Sequence, residues 1–338
     1  MNLIAPQRPG NAERDVLEVA RSWLNQHGRV ALATVASAWG SAPVPVGGQM
    51  VVGPGERFHG SVSGGCVEID VIAEAADVMN GRVPKLLEFG VDEETAWRAG
   101  LPCGGKIEIL LEPLERERDA EALDRILAGR SEREPLAVVT NLATGERRLT
   151  SGEGEPAEIA SCLADGQSRL LDAPGPRVFV QALMPPVRIV IAGATNIGQT
   201  LAALARQTGY DVVVVDPRAA FASEERFGAA ELVTGWPEAS LAAVGIDGRT
   251  AVVALTHASH IDDEALAAAL RSPCLYIGAL GSRRTHAKRI ERLKAAGFSE
   301  AELARIHAPI GLAIGAKGPA EIAVSILAEI IKVARGAG

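Results

Sequence analysis

Apolar residues recur along this chain with two periods, and the way those periods alternate divides it in two. From Asp15 to Gln26, residues Val16, Val19, Ala20, Trp23 and Leu24 fall on one stripe at three- and four-residue spacing. That spacing predicts an amphipathic helix stopped at Gly28. Arg29 to Ala36 is a nearly unbroken apolar run and predicts a buried strand. Gln49 to Val52 and Arg57 to Val62 predict two more strands, joined at Gly53-Pro54-Gly55. Cys66 to Asn80 reads as a helix ending at Gly81, Lys106 to Leu114 as a strand, and Asp119 to Leu127 as a helix. Pro135 to Thr150 predicts a hairpin turning at Ala143-Thr144-Gly145, and Val178 to Leu183 a further strand. These elements make an α+β domain whose topology the pattern leaves open.

The paired prolines of Met184-Pro185-Pro186 stop any preceding element and mark a boundary. The domains expected are therefore residues 1–184 and 185–338. Beyond the boundary the rhythm is regular. Short apolar strands are expected at Arg188 to Ala192, Asp211 to Val215, Glu231 to Thr234, Thr250 to Leu255 and Leu275 to Ile277, with helices between, the first over Asn196 to Thr208. This alternation predicts an α/β domain with a doubly wound, Rossmann-like parallel sheet. Pro319 to Arg335 closes the chain as one long helix, with Ile322, Ile326, Ile330 and Val333 on its buried stripe.

Composition narrows the classes. The 338 residues carry a formal net charge of -8 and no basic run, which disfavours nucleic acid as a ligand. No apolar stretch approaches the roughly 20 residues of a membrane span, and no secretory signal opens the chain. The four cysteines lie far apart, neither a disulfide framework nor paired zinc ligands. Reduced thiols in the cytoplasm are the expectation, so the chemistry rests on what surrounds each sulfur.

Three glycine-rich segments crowd the first half: Trp39-Gly40-Ser41 through Gly47-Gly48, Gly60-Ser61-Val62-Ser63-Gly64-Gly65-Cys66-Val67-Glu68, and Pro102-Cys103-Gly104-Gly105. Gly64-Gly65 directly precedes the expected helix at Cys66. Backbone N–H groups at a helix start, together with the dipole, suit an anion. The same position is expected to depress the Cys66 thiol pKa. Cys103 is flanked by glycines that leave its sulfur accessible. Glu68 is open to a simpler reading, an acid complementing the helix dipole.

In the second half, Gly193-Ala194-Thr195-Asn196-Ile197-Gly198 follows the first strand. Gly193 suits a tight turn and Gly198 close helix–strand packing. The middle position, where glycine admits a pyrophosphate, is Thr195. Asp216 ends the next strand, where an acid takes a ribose hydroxyl, and Arg218 is placed for a phosphate. NAD(P) or FAD therefore remains an alternative ligand. His257, His260 and Asp262 follow the fourth strand; they suit a ligand site, a metal or an ordinary polar loop. Gly281-Ser282-Arg283-Arg284 opens a helix after the fifth strand and suits an anion. His307 to Gly315 is expected to be an apolar loop packing across the domain interface.

Taken together, these segments resemble the xanthine dehydrogenase accessory protein family, which includes carbon monoxide dehydrogenase maturation factors. The likeness is carried by Gly40-Ser41 with Gly47, Gly60 to Glu68, Cys103-Gly104-Gly105 and Asp216-Pro217-Arg218. It is strongest in Tyr276-Ile277-Gly278-Ala279-Leu280-Gly281-Ser282-Arg283 and Ile306-His307-Ala308-Pro309-Ile310-Gly311-Leu312, with Pro319 to Ile330 completing it. The resemblance implies a cytoplasmic chaperone rather than an enzyme. Such a protein binds the molybdopterin-type molybdenum cofactor, including its cytosine dinucleotide form, protects its sulfurated state, and delivers it to a molybdenum hydroxylase such as xanthine dehydrogenase, aldehyde oxidoreductase or carbon monoxide dehydrogenase. A cysteine desulfurase and the client enzyme are the implied partners, and a homodimer fits the family type.

The same resemblance assigns the chemistry at the cofactor to Cys66 and Cys103. The candidate cofactor-binding residues, from the local readings and the matching segments together, are Gly40, Ser41, Ser61, Ser63, Gly64, Gly65, Glu68, Gly104, Gly105, Gly193, Gly198, Asp216, His257, Gly281, Ser282 and Arg283, with no metal ligands. The chain departs from the family at Thr195-Asn196, where Gly-His is usual, at Ala258 in place of an aspartate, and at Val44 in place of a basic residue. Two alternatives stay open: an NAD(P)- or FAD-linked oxidoreductase, and a scaffold that joins desulfurase and client without holding the cofactor.

Overall fold

The first apolar stripe forms helix α1 (Val16–His27). Asp15 caps it by accepting the Leu17 N–H at 2.8 Å. Gly28 ends it in the left-handed conformation, φ 77°, returning its N–H to the Leu24 carbonyl. The structure, a computed structural model, describes residues 15–40, 43–81, 83–90, 106–172 and 175–336, in two compact units that divide between residues 185 and 186.

In the first unit the chain continues as β1 (Arg29–Trp39), β2 (Gln49–Val52), β3 (Phe58–Gly60), α2 (Glu68–Gly81), β4 (Lys85–Gly90), β5 (Lys106–Glu115) and α3 (Arg116–Ser131). The strands form an antiparallel sheet in the order β3-β2-β1-β5-β4. Its central strand β1 is apolar on both faces because both faces are covered. Ala31, Ala33 and Val35 pack with Val71, Ala75 and Val78 of α2, while Val30 and Leu32 pack with Leu17 and Leu24 of α1 and Leu123 and Ile126 of α3.

A second antiparallel sheet follows, built from β6 (Leu136–Asn141), β7 (Arg147–Thr150), β8 (Arg169–Leu171) and β9 (Val178–Leu183), in the order β7-β6-β9-β8. The expected hairpin joins β6 to β7, with Asn141 Oδ1 accepting the Ala143 N–H at 2.9 Å. Helix α4 (Ala157–Asp165) buries Ile159, Cys162 and Leu163 against one face of this sheet. The other face meets the first sheet, where Phe179 packs on Ala36 and Leu110.

The second unit alternates strand and helix: β10 (Arg188–Ala192), α5 (Asn196–Gln207), β11 (Asp211–Val215), α6 (Glu224–Phe227), β12 (Glu231–Val233), α7 (Pro237–Val244), β13 (Thr250–Ala254), α8 (Ser259–Leu270), β14 (Tyr276–Ala279), α9 (Arg283–Ala295), α10 (Glu300–Leu303), β15 (Ile306–His307) and α11 (Pro319–Ala334). All its strand pairs are parallel, in the order β12-β11-β10-β13-β14-β15. α5 and α11 cover one face, burying Leu201, Ala205, Ile326 and Ile330 on Ile189, Ile191 and Val253. α7, α8 and α9 cover the other, through Leu241, Leu266 and Leu293. The mixed α/β architecture expected from the sequence is therefore present.

His307, expected to open a loop, instead joins Ile306 in the last strand of the parallel sheet, which pairs with Ile277 and Gly278. The strand is too short for its alternation to register in the sequence.

Candidate functional site

The glycine loop after β3 is held by one acid. Gly60 has φ 87°, and a Cβ there would stand 2.4 Å from the Gln49 carbonyl oxygen. Beyond it the chain wraps around the Glu68 carboxylate. Oε1 accepts the Ser61 hydroxyl at 2.6 Å and the N–H groups of Val62 and Ser63 at 3.1 and 2.9 Å. Oε2 accepts the Ser63 hydroxyl at 2.6 Å and the N–H groups of Gly65 and Val67 at 2.9 and 3.2 Å. The two remaining amides turn to hydroxyls, Gly64 N–H to Ser61 Oγ and Cys66 N–H to Ser63 Oγ, both at 2.9 Å. Glu68 is only 6% exposed. Burial pushes its carboxyl up, but the Ser61 and Ser63 hydroxyls and the Ser63 amide outweigh this and hold it at about 2.

This geometry corrects two sequence expectations. The amides proposed as a phosphate cradle already serve the chain's own Glu68 carboxylate and the two serine hydroxyls bound to it. The helix also begins at Glu68, so Cys66 precedes its first turn. What the loop presents instead is its tip: Gly64 and Gly65, at φ 83° and 117°, carry an exposed Cys66. Pro43 of the first glycine loop approaches this tip, lying 3.4 Å from where a Gly64 Cβ would be. Gly40, φ 85°, ends β1. Ser41, Cys103, Gly104 and Gly105 lie outside the described residues.

In the second unit the strand order reverses between β10 and β13, the switch point where open α/β sheets place ligands. There a Cβ on Gly193, φ 116°, would stand 2.4 Å from Thr256 Cγ2, and one on Gly198 would stand 2.8 Å from the Gly193 carbonyl oxygen. Both glycines are thus required by packing. Thr195 caps α5, its Oγ1 accepting the Gly198 N–H at 3.2 Å.

Asp216, fully buried, is not open to a ribose. Its Oδ2 accepts the Ala194 N–H at 2.8 Å and Arg218 Nη2 at 2.7 Å, and its Oδ1 accepts the Arg218 N–H and Nε at 2.9 and 2.8 Å. Burial pushes this carboxyl up, but the Arg218 guanidinium and the two amides lower it overall. Arg218, expected to meet a phosphate, is held by this acid and lies over the Phe221 ring at 4.2 Å. Arg226 crosses the glycine turn, donating to the Ala194 carbonyl at 2.9 Å.

Along the same edge, His257 is exposed with φ 64°, and buried Asp262 accepts the Thr256 N–H and hydroxyl at 3.1 and 2.6 Å. Ser282 caps α9 by accepting the Thr285 N–H at 3.2 Å; it follows Gly281, φ 134°, and leaves Arg283 exposed at the helix start. His260 packs toward Trp236, ring centroids 5.9 Å apart.

Sequence reasoning missed a third cluster. Glu329 of α11 accepts the Tyr276 hydroxyl at 2.5 Å and the Gly311 N–H at 2.7 Å on Oε2, while its Oε1 lies 3.1 Å from His307 Nδ1. The Tyr276 and His307 rings lie 4.6 Å apart. This carboxylate ties together the three C-terminal segments that carried the family resemblance. The segments stand out as matches to the family, but nothing local pairs Glu329 with residues 53 and 22 positions earlier.

Comparison with known proteins follows this division. The XdhC Rossmann domain matches residues 189–330, and the XdhC and CoxI family matches residues 23–90. The chain is 31% identical over 329 residues to the molybdenum cofactor insertion chaperone PaoD of Escherichia coli (strain K12), covering 95% of this chain and 88% of that protein. It is 29% identical to a probable xanthine dehydrogenase subunit of Bacillus subtilis (strain 168), covering 89% of this chain and 92% of that protein. A crystal structure described as a xanthine dehydrogenase from Bacillus halodurans superposes with a TM-score of 0.77 at 25% identity, covering 96% of this chain and 97% of that one.

Proposed function

We propose that this chain, which belongs to the XdhC and CoxI family, carries a molybdenum–pterin cofactor as cargo and hands it to a molybdenum hydroxylase, acting as a chaperone and not as a catalyst of turnover. The observation that carries the reading is the exposed Cys66 at the tip of a loop fixed by Glu68. A thiolate is a soft ligand suited to a thiophilic metal centre. A loop whose backbone is immobilised before the guest arrives loses little freedom on binding it. Because Glu68, Ser61 and Ser63 take up the loop amides, recognition at this tip falls to the sulfur and not to a phosphate cradle.

In this reading Cys66 holds the cargo, Ser61, Ser63 and Glu68 act as positioning residues, and Gly64 and Gly65 keep the tip free of side chains. Ser41, Cys103, Gly104 and Gly105 complete the proposed binding set, with Gly40 at the end of β1. The strand-end residues His257, Ser282 and Arg283 of the second unit are proposed, by themselves, as an anion-binding set. The sulfurated form of the cofactor, a cysteine desulfurase as its sulfur source, a homodimeric assembly and a cytoplasmic setting belong to the same proposal. Among the described residues no helix is long and apolar enough to cross a membrane.

The test is equilibrium binding of isolated molybdenum cofactor to the purified chain, followed by transfer to a cofactor-free hydroxylase. Saturable binding that Cys66→Ala weakens, with matching loss of transfer, supports the proposal. Binding and transfer unchanged by Cys66→Ala remove this thiol from the function.

A further inference from the structure

Between the two sheets of the first unit lies a half-open cavity of about 370 Å³ that none of the residues assigned above lines. Its size falls within the range of small-molecule pockets. Leu32 and Leu114 form one wall, Val138, Leu149 and Leu183 the opposite one, and Leu123 and Ile126 of α3 close an end. Apolar side chains on two sides suit the faces of a planar ring.

The lining is also polar in part, with Gln49, Arg118, Asp119 and Arg147 on it, and two further polar side chains reach it from facing sheets. Glu112 lies in β5 opposite Leu32, and Gln181 lies in β9 opposite Val138. They are 5% and 6% exposed. Glu112 Oε1 accepts the Thr140 hydroxyl at 3.1 Å and lies 3.8 Å from Arg147 Nη1; its Oε2 takes no hydrogen bond from any described residue. The Gln181 carboxamide likewise has no hydrogen-bond partner among the described residues. Thr140 and Val138 are two positions apart on β6 and share a face. The acid reaching Thr140 and the amide paired across from Val138 therefore address the same space. Neither group is a sealed, unsatisfied polar atom; both open onto the cavity, where a ligand can take the place of water.

We propose that this cavity binds a fused, flat nitrogen heterocycle through its lactam–amidine edge, read by Glu112 and Gln181. Such an edge offers adjacent N–H donors and a carbonyl acceptor. The Glu112 Oε2 accepts the donors, and the Gln181 carboxamide, with two donors and an acceptor, completes the pattern. Burial pushes the Glu112 carboxyl up, with Arg147 and Thr140 only partly offsetting it. The nearby cations are engaged: Arg147 donates to Asp119 Oδ1 at 2.5 Å, and Arg118 donates to the Pro113 carbonyl at 2.7 Å. This inference rests on the cavity and is independent of the thiol at Cys66.

Pterins and guanine share the 2-amino-4-oxopyrimidine edge, so the test uses both. The full chain is titrated calorimetrically with pterin, guanosine and 1-methylguanosine, the last blocked at the ring N–H. Saturable binding of pterin or guanosine is expected, weakened at least about tenfold by Gln181→Leu and by Glu112→Gln. If guanosine binds, the methyl group is expected to weaken it comparably. Preference for pterin makes the cavity a seat for the cargo's ring, and preference for guanosine makes it a nucleotide effector site; both sustain the proposal. Absence of binding by both probes to the wild-type chain overturns it, as does binding indifferent to the variants. Thermal melting shows whether Glu112→Gln is folded; if it is not, Gln181→Leu decides.

Discussion

Ser63 meets Glu68 twice: its N–H donates to Oε1 at 2.9 Å and its hydroxyl to Oε2 at 2.6 Å, so one residue bridges both oxygens of one carboxylate. The bridge makes the loop's integrity depend on the carboxylate being charged. Its pKa falls from 4.5 to about 2 on folding. A depressed carboxyl stabilises the fold above its unfolded pKa and loses that contribution as pH falls through the folded one. The shift corresponds to about 3 kcal/mol, present at pH 6 and disappearing between about pH 5 and pH 2. Urea unfolding of wild type and Glu68→Gln across that interval is expected to show two stability curves converging in acid. Parallel curves would disconnect the charge from the loop.

The same loop makes a prediction about thiols. Cys66 is exposed, whereas Cys162 and Cys274 are buried. In a Cys103→Ser background, one sulfur is expected to react rapidly with iodoacetamide in the native protein, and Cys66→Ala is expected to abolish that fast phase. Because the side chain is exposed, this variant should change stability by no more than about 0.5 kcal/mol. Fast labelling that survives in Cys66→Ala would show that another sulfur is accessible.

The contrast between the two units shows which physics reaches the sequence. Val212 to Val215 is legible as a buried parallel strand because every side chain is covered, and β11 sits between β10 and β12 as its apolar run demands. α1 was legible because its stripe and both caps are local. β4 was not, since it is an edge strand whose residues are half-buried or exposed. α4 was overlooked although Ile159, Cys162 and Leu163 keep helical spacing and Gly166 stops it. The positions of the glycine loops were legible; their chemistry was not. Whether an amide serves a ligand or the chain itself depends on one side chain folding back, as Glu68 and Asp216 do, and no spacing rule records that.

The second such acid bears on nucleotides. With both Asp216 oxygens occupied by Ala194 and Arg218, and Arg226 across the glycine turn, titration with NAD, NADP or FAD is expected to give no saturable signal up to about 1 mM. A hyperbolic response that Asp216→Asn abolishes would mean that the acid exchanges its internal donors for a ribose, reviving the oxidoreductase alternative.

The carboxylate of Glu329 supports the last prediction. Tyr276→Phe removes one of its donors and leaves the Gly311 N–H and His307 in place. The cost of deleting one buried hydrogen bond to a charged acceptor is about 1.5–3 kcal/mol. Glu329→Leu strands the Tyr276 hydroxyl and the Gly311 amide together and should cost more. Tyr276 is 2% exposed, so its hydroxyl has no water to turn to. In a unit of this size each kcal/mol corresponds to about 2–4 °C of melting temperature. Calorimetric melting is therefore expected to rank wild type above Tyr276→Phe and Tyr276→Phe above Glu329→Leu. Equal melting temperatures for the two variants would show that the tyrosine carries the whole interaction and that Glu329 does not join the three C-terminal segments.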